Sequence, residues 1–202
     1  MHHLGESEYE FGHEHTGSQR GHSSFWMHDP EVVFGRIGLR SGDAFLDLGC
    51  GVGDYAVYAA RIVGDSGAVY AVDRLEEAVC SLMETADSQQ LENIIGIVSD
   101  ITAPLPLRDH CIDICFMSTV LHTLDMDKAM KPLLGGIRRV LKPTGRLTVI
   151  ECKKEDMPFG PPKHMRLSLE ELEASITPHG FSRTAGTDLG YNYMIQFELS
   201  GD

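Results

Sequence analysis

"FLDLGCGVGDYAVYAARIVG", residues 45–64, decides the fold of this 202-residue chain. Phe45 to Leu48 reads as a buried strand, apolar except for Asp47. Gly49, Gly51 and Gly53 follow, three glycines in five residues. Tyr55 to Val63 then spaces its apolar residues as a helix does. Strand, glycine turn and helix in that order open a βαβ unit whose turn holds a ligand.

The rest of the chain continues the alternation. Asp29-Pro30 is a helix start, because Asp caps and Pro suits the first helical position. Strands are expected over Ala44–Leu48, Ala68–Val72, Ile94–Val98, Ile112–Met117 and Leu147–Glu151. Helices are expected over Tyr55–Val63, Glu76–Ala86 and about Asp127–Leu141, despite Pro132, with Lys142-Pro143-Thr144-Gly145 as the stop. Ser168 and Glu171 make a capping box for a last helix. Ser182–Asp188 and Tyr191–Leu199, joined by Leu189-Gly190, predict a closing hairpin. Strands separated by helices give a mostly parallel sheet with helices on both faces, and ligands in such sheets sit at the carboxyl ends of the strands.

Residues 1–28 differ from the remainder. They hold six of the ten histidines (His2, His3, His13, His15, His22, His28) and few aliphatics. They are expected to form a flexible His-rich arm, with Phe25, Trp26 and Met27 pinning its end to a domain over residues 29–202. His13-Glu14-His15, with His22 or His28, has weak metal-ligand spacing, and a His-rich arm without metal is the expectation. Five scattered cysteines, an odd number, fit reduced thiols in a cytosol. No apolar run approaches the roughly 20 residues of a membrane span, and no signal stretch opens the chain. The net charge of −13 repels nucleic-acid backbones and favours a small-molecule partner.

The glycine spacing narrows the ligand. A dinucleotide fingerprint places a third glycine where this chain has Asp54. A carboxylate at a helix start suits the helix dipole but repels pyrophosphate. The turn therefore suits a phosphate-free nucleoside with a cationic part near Asp47 and Asp54. S-adenosylmethionine (SAM), with its ammonium and sulfonium, is such a molecule. Asp73 ends the second strand and can accept from ribose hydroxyls. Asp100-Ile101 ends the third, offering an acceptor and an aliphatic surface for adenine.

"LDLGCGVGDY", "VYAVD", "GIVSDI", "PLPLRDHCIDICFMSTVLHTL" and "RRVLKPTGRLTVIE", in this order, resemble the class I SAM-dependent methyltransferases. The likeness is nearest to the small quinone-biosynthesis C-methyltransferases and runs from about Asp29 to the end. It implies a Rossmann-like α/β fold with a seven-stranded sheet, and SAM as cofactor. It also implies cofactor contacts from Gly49, Gly51, Gly53, Asp73, Asp100, Ile101, Ser118 and Thr119, to which the nearby Asp47 carboxylate adds a candidate contact, and an N-terminal segment that closes over a small-molecule substrate.

Methyl transfer from a sulfonium is an in-line displacement that needs a base only when the nucleophile must lose a proton. His122, after the fourth strand, and His164, in "GPPKHMR", are the candidate bases, and each is equally readable as a packing or surface histidine. The expected function is methyl transfer from SAM to a small molecule in the cytosol. The rivals are an NAD-dependent oxidoreductase and a non-catalytic protein that binds SAM or a metal through the arm.

Overall fold

The computed structural model describes residues 23–201. Seven strands, β1 (Ala44–Leu48), β2 (Ala68–Asp73), β3 (Ile94–Val98), β4 (Ile112–Ser118), β5 (Leu141–Cys152), β6 (Phe181–Leu189) and β7 (Asn192–Leu199), form one sheet in the order β3-β2-β1-β4-β5-β7-β6. β1 to β5 are parallel, and β7 runs antiparallel between β5 and β6. The reversal from β1-β2-β3 to β1-β4 creates a crevice beyond the carboxyl ends of β1 and β4, where open α/β sheets bind ligands.

Helices α1 (Pro30–Ile37), α2 (Asp54–Val63) and α3 (Glu76–Ser88) cover one face, and α4 (Met126–Val140) and α5 (Leu169–Ile176) cover the other. Strand alternation sorts the core. Phe45, Ile114 and Phe116 pack toward α1 and α2, while Leu46, Leu48, Cys115 and Met117 pack toward α4. Alternation also puts Asp47 on the α2 side. Pro132 stays in α4 at an exposed position, where the carbonyl it leaves unpaired can reach water.

Several boundaries differ from expectation by one or two residues, and at β5 and the closing hairpin the difference changes a connection. β5 begins at Leu141, not Leu147, so the chain passes from α4 into the sheet without a separate loop. Gly145 permits this: a Cβ there would lie 2.9 Å from the Ile112 carbonyl oxygen. The hairpin turns at Gly190-Tyr191 rather than Leu189-Gly190, with Gly190 at φ +82°.

Ser24–Met27 forms a 3-10 turn against the α2 side. Phe25 is buried, its ring edge-on to Tyr55 at 5.0 Å, whereas Trp26 is 79% exposed and meets the fold through the ring of Phe25. His2, His3, His13, Glu14, His15 and His22 lie outside the described residues. All five cysteines are free thiols, and no described helix is long and apolar enough to cross a membrane.

Candidate active site

The glycine turn joins β1 to α2. Gly49, Gly51 and Gly53 all have positive φ (+76°, +53° and +85°), which glycine adopts without strain. The amides of Gly49 and Cys50 both donate to the Val72 carbonyl, at 2.8 and 3.0 Å, which ties the turn to β2. The three glycines face different surroundings. A Cβ on Gly49 would meet Val120 at 2.6 Å, and one on Gly53 would meet Leu82 at 2.3 Å. A Cβ on Gly51 would meet nothing within 4 Å among the described residues. The outer glycines are thus required by packing, and the central one borders open space.

Two carboxylates flank this space. Asp73 Oδ2 accepts from the Gly51 amide and Oδ1 from the Leu75 amide, both at 2.9 Å. It shapes the turn while keeping lone pairs for another donor. Asp47 is 2% exposed, and its Oδ2 has no hydrogen-bond partner among the described residues. Burial, then the negative charge of Asp73, push its carboxyl from 3.8 up to about 8. A buried oxygen without a partner is costly unless a ligand completes it.

The remaining candidates lie along the same strand ends. Asp100 Oδ1 accepts from the Thr102 amide and hydroxyl, both at 2.7 Å, and these bonds hold its carboxyl below the usual range. Ile101 is buried in the core under α4. Ser118 Oγ meets Ser24 Oγ at 2.8 Å, so the N-terminal turn reaches the end of β4. Thr119 has φ +55°, an uncommon conformation for a branched residue, with its hydroxyl bonded to the Ser118 carbonyl. His28 is also drawn in, with Nδ1 2.8 Å from the Tyr55 hydroxyl, and burial lowers its pKa.

The two candidate bases separate. His164 is exposed on the turn Lys163–Met165, without a hydrogen bond among the described residues. His122 lies in the turn Leu121–Thr123 after β4, its side chain 13% exposed, with Nδ1 3.0 Å from Glu151 Oε2. Glu151 is fully buried, and its Oε1 accepts from the Leu121 amide at 2.8 Å. Sequence reading passed over Glu151, because an acid closing the apolar run "RLTVIE" looks like a strand end turning to solvent.

Arg166 was missed for a similar reason. It is 3% exposed and bonded to the carbonyls of Pro161, Lys153, Glu155 and Phe159 at 2.6, 3.4, 3.0 and 2.7 Å. One planar guanidinium therefore organises the loop 153–166 that follows β5. Arg166→Lys, with fewer donors in a different geometry, is expected to let proteases cut this loop about tenfold faster, the equivalent of ~1.4 kcal/mol of local stability. Unchanged cleavage would show that the loop does not depend on the cage. Beside the loop, a groove of about 400 Å³ lies between Lys153, Lys154, Thr187 and Tyr193, away from the glycine turn. Its lysines are neutralised by Asp188 and Glu171.

Residues 39–194 match the family described as methyltransferase domain. The chain is 36% identical over 124 residues to the ubiquinone/menaquinone biosynthesis C-methyltransferase UbiE of Haemophilus ducreyi, across 58% of this chain and 44% of that protein. It spans about half the length of the curated relatives it matches. A SAM-dependent methyltransferase from Aquifex aeolicus superposes with a TM-score of 0.80 at 31% identity, covering 88% of this chain and 93% of that one. A geranyl diphosphate C-methyltransferase from Streptomyces coelicolor, solved with Mg2+, geranyl diphosphate and S-adenosyl-L-homocysteine, shares the fold at 16% identity. Its TM-score is 0.68, with 84% of this chain and 79% of that one covered. Neither the dinucleotide oxidoreductase nor the non-catalytic alternative gains support from these relatives.

Proposed function

We infer the function from one premise: the chain belongs to the methyltransferase-domain family and is a SAM-dependent methyltransferase. It transfers a methyl group from SAM to a small-molecule acceptor. The observation that carries the site assignment is the unpartnered, buried Asp47 carboxyl beside a turn whose central glycine borders open space. A cationic ammonium satisfies the first, and a bulky nucleoside fills the second. Bound SAM supplies a methyl group on a sulfonium, poised for in-line displacement.

In this reading Gly49, Gly51 and Gly53 form the cradle, with Asp47 taking the ammonium. Asp73 accepts from the ribose with the lone pairs left after it has tied down Gly51 and Leu75. Asp100 and Ile101 border the adenine, and Ser118 and Thr119 the far wall. The acceptor lies between the N-terminal turn, the segment after β4 and the loop 153–166. His122, rather than the exposed His164, stands on the acceptor side. A cytosolic setting goes with this reading, supported by the five free thiols.

Calorimetric titration with SAM and with S-adenosylhomocysteine tests the cofactor, and we expect saturable binding of both. Absence of binding by either overturns the reading. Incubation with labelled SAM and a metabolite extract then identifies the methylated product.

A further inference from the structure

We propose that Glu151 and His122 act together as a proton-accepting pair, so that the acceptor is a molecule whose reacting atom, a hydroxyl oxygen or an enolisable carbon, loses a proton on methylation. The proposal rests on the methyltransferase reading above and names the acceptor class for the same site.

Glu151 sits at the carboxyl end of β5, beside β4. It is fully buried, and no lysine or arginine forms an ion pair with it among the described residues. Its oxygens are held by donors instead. Oε1 accepts from the Leu121 amide at 2.8 Å, and Oε2 accepts from the His122 ring at 3.0 Å and the Cys152 amide at 3.3 Å. The amides alone would serve if Glu151 only anchored the turn after β4. The bond to the ring goes further. The proposal takes Glu151 as a carboxylate, which only accepts, so that Nδ1 of His122 is the donor and Nε2 offers the lone pair. The ring makes no other side-chain hydrogen bond among the described residues.

The location fits this task. Val120, two residues before His122, lies where a Cβ on Gly49 would touch it, so the turn carrying His122 packs on the glycine cradle. The turn that carries His122 therefore lies on the same side of the sheet end as the glycine turn. As the acceptor's X–H bond breaks, its proton goes to Nε2 of His122 and the X–CH3 bond forms. The C–S bonding pair returns to the sulfonium sulfur, which leaves neutral. The positive charge ends on the imidazolium, and the buried Glu151 carboxylate is the counter-charge. Glu151 acts through His122 and is a positioning residue. A thioether or tertiary amine acceptor has no proton to give and would not use the pair.

The test uses His122→Gln and Glu151→Gln in the full chain, with thermal melts to establish folding. S-adenosylhomocysteine affinity, measured by calorimetry, is expected to stay within about threefold of wild type in both variants. Transfer of label from SAM to the extract product is expected to fall by about 10²- to 10⁴-fold in His122→Gln, the usual contribution of a general base, and by less in Glu151→Gln. Nitrogen-15 spectra are expected to show His122 as the Nδ1–H tautomer in wild type and as a mixture in Glu151→Gln, a change that anchoring the backbone turn would not produce. Three results overturn the pair: wild-type transfer in His122→Gln with cofactor bound, an Nε2–H tautomer in wild type, or a sulfonium or quaternary ammonium product. If no cofactor binds, the methyltransferase reading fails instead, and the tautomer measurement still decides whether the pair exists.

Discussion

Gly51→Ala is expected to leave the protein folded and to weaken SAM binding about a hundredfold, whereas Gly53→Ala, two residues on, is expected to compromise folding itself. Both positions have positive φ, which costs a non-glycine residue roughly 1–2 kcal/mol. At Gly51 that is the main structural cost, since an added Cβ meets no atom of the described residues within 4 Å. Its melting temperature should drop by only a few degrees. The new methyl group then occupies the space assigned to the cofactor, and a hundredfold loss corresponds to about 2.7 kcal/mol. At Gly53 the Cβ would stand 2.3 Å from Leu82, a fully buried residue of α3. Overpacking adds roughly 1–3 kcal/mol, so the total approaches half the stability of an ordinary domain, roughly 5–15 kcal/mol. Thermal melts and calorimetry on the two variants separate the effects. If Gly51→Ala binds SAM as wild type does, the open side of Gly51 faces solvent and not the cofactor.

That contrast marks how far the sequence alone reaches. Three glycines within five residues, between an apolar run and a helical pattern, announce a ligand turn because positive φ and helix periodicity are local properties. Which glycines are required by packing and which borders open space depends on Val120 and Leu82, brought in by α3 and the end of β4, and spacing carries no trace of it. Asp73 and Asp100 were legible as strand-end carboxylates. Their existing bonds, to the Gly51 amide and to Thr102, were not, since those depend on backbone direction.

Glu151 is the clearest omission. It pairs with a histidine 29 residues earlier only because β4 and β5 are neighbours and end at the same level. Local pattern sees an acid ending a strand. Arg166 reads as a surface cation beside Met165 and Leu167, and only the curl of the loop 153–166 buries it. In both cases the informative property is burial of a charged group, and its cost is met by partners distant in the chain or by main-chain carbonyls. His122 and His164 were indistinguishable in sequence, and a single carboxylate partner separates them.

Asp47→Asn is expected to stabilise the cofactor-free protein and to weaken SAM binding by about ten- to a hundredfold. In the folded chain burial and Asp73 raise the Asp47 carboxyl from 3.8 to about 8. The native state therefore keeps a proton that the unfolded chain releases, and stability falls as pH rises from about 4 to about 8. Asparagine carries no such proton. The variant should lose that slope and, at pH 8, exceed wild type by at least ~1 kcal/mol in chemical denaturation. An ammonium placed beside Asp47 favours the carboxylate form, so SAM binding at pH 7 should expel roughly 0.9 proton from wild type and none from this position in the variant. Titrations in two buffers of different ionisation heat measure that difference directly. The affinity loss follows from removing a charge-assisted hydrogen bond, worth roughly 1.5–3 kcal/mol. Equal proton release by the two proteins would mean that the ammonium sits elsewhere. A variant less stable than wild type at pH 8 would mean that a donor within the protein holds the Asp47 carboxylate. On the proposed assignment folding disfavours the Asp47 charge and the cofactor's ammonium favours it, so stability lost by burying this carboxyl is expected to return as affinity for the cation.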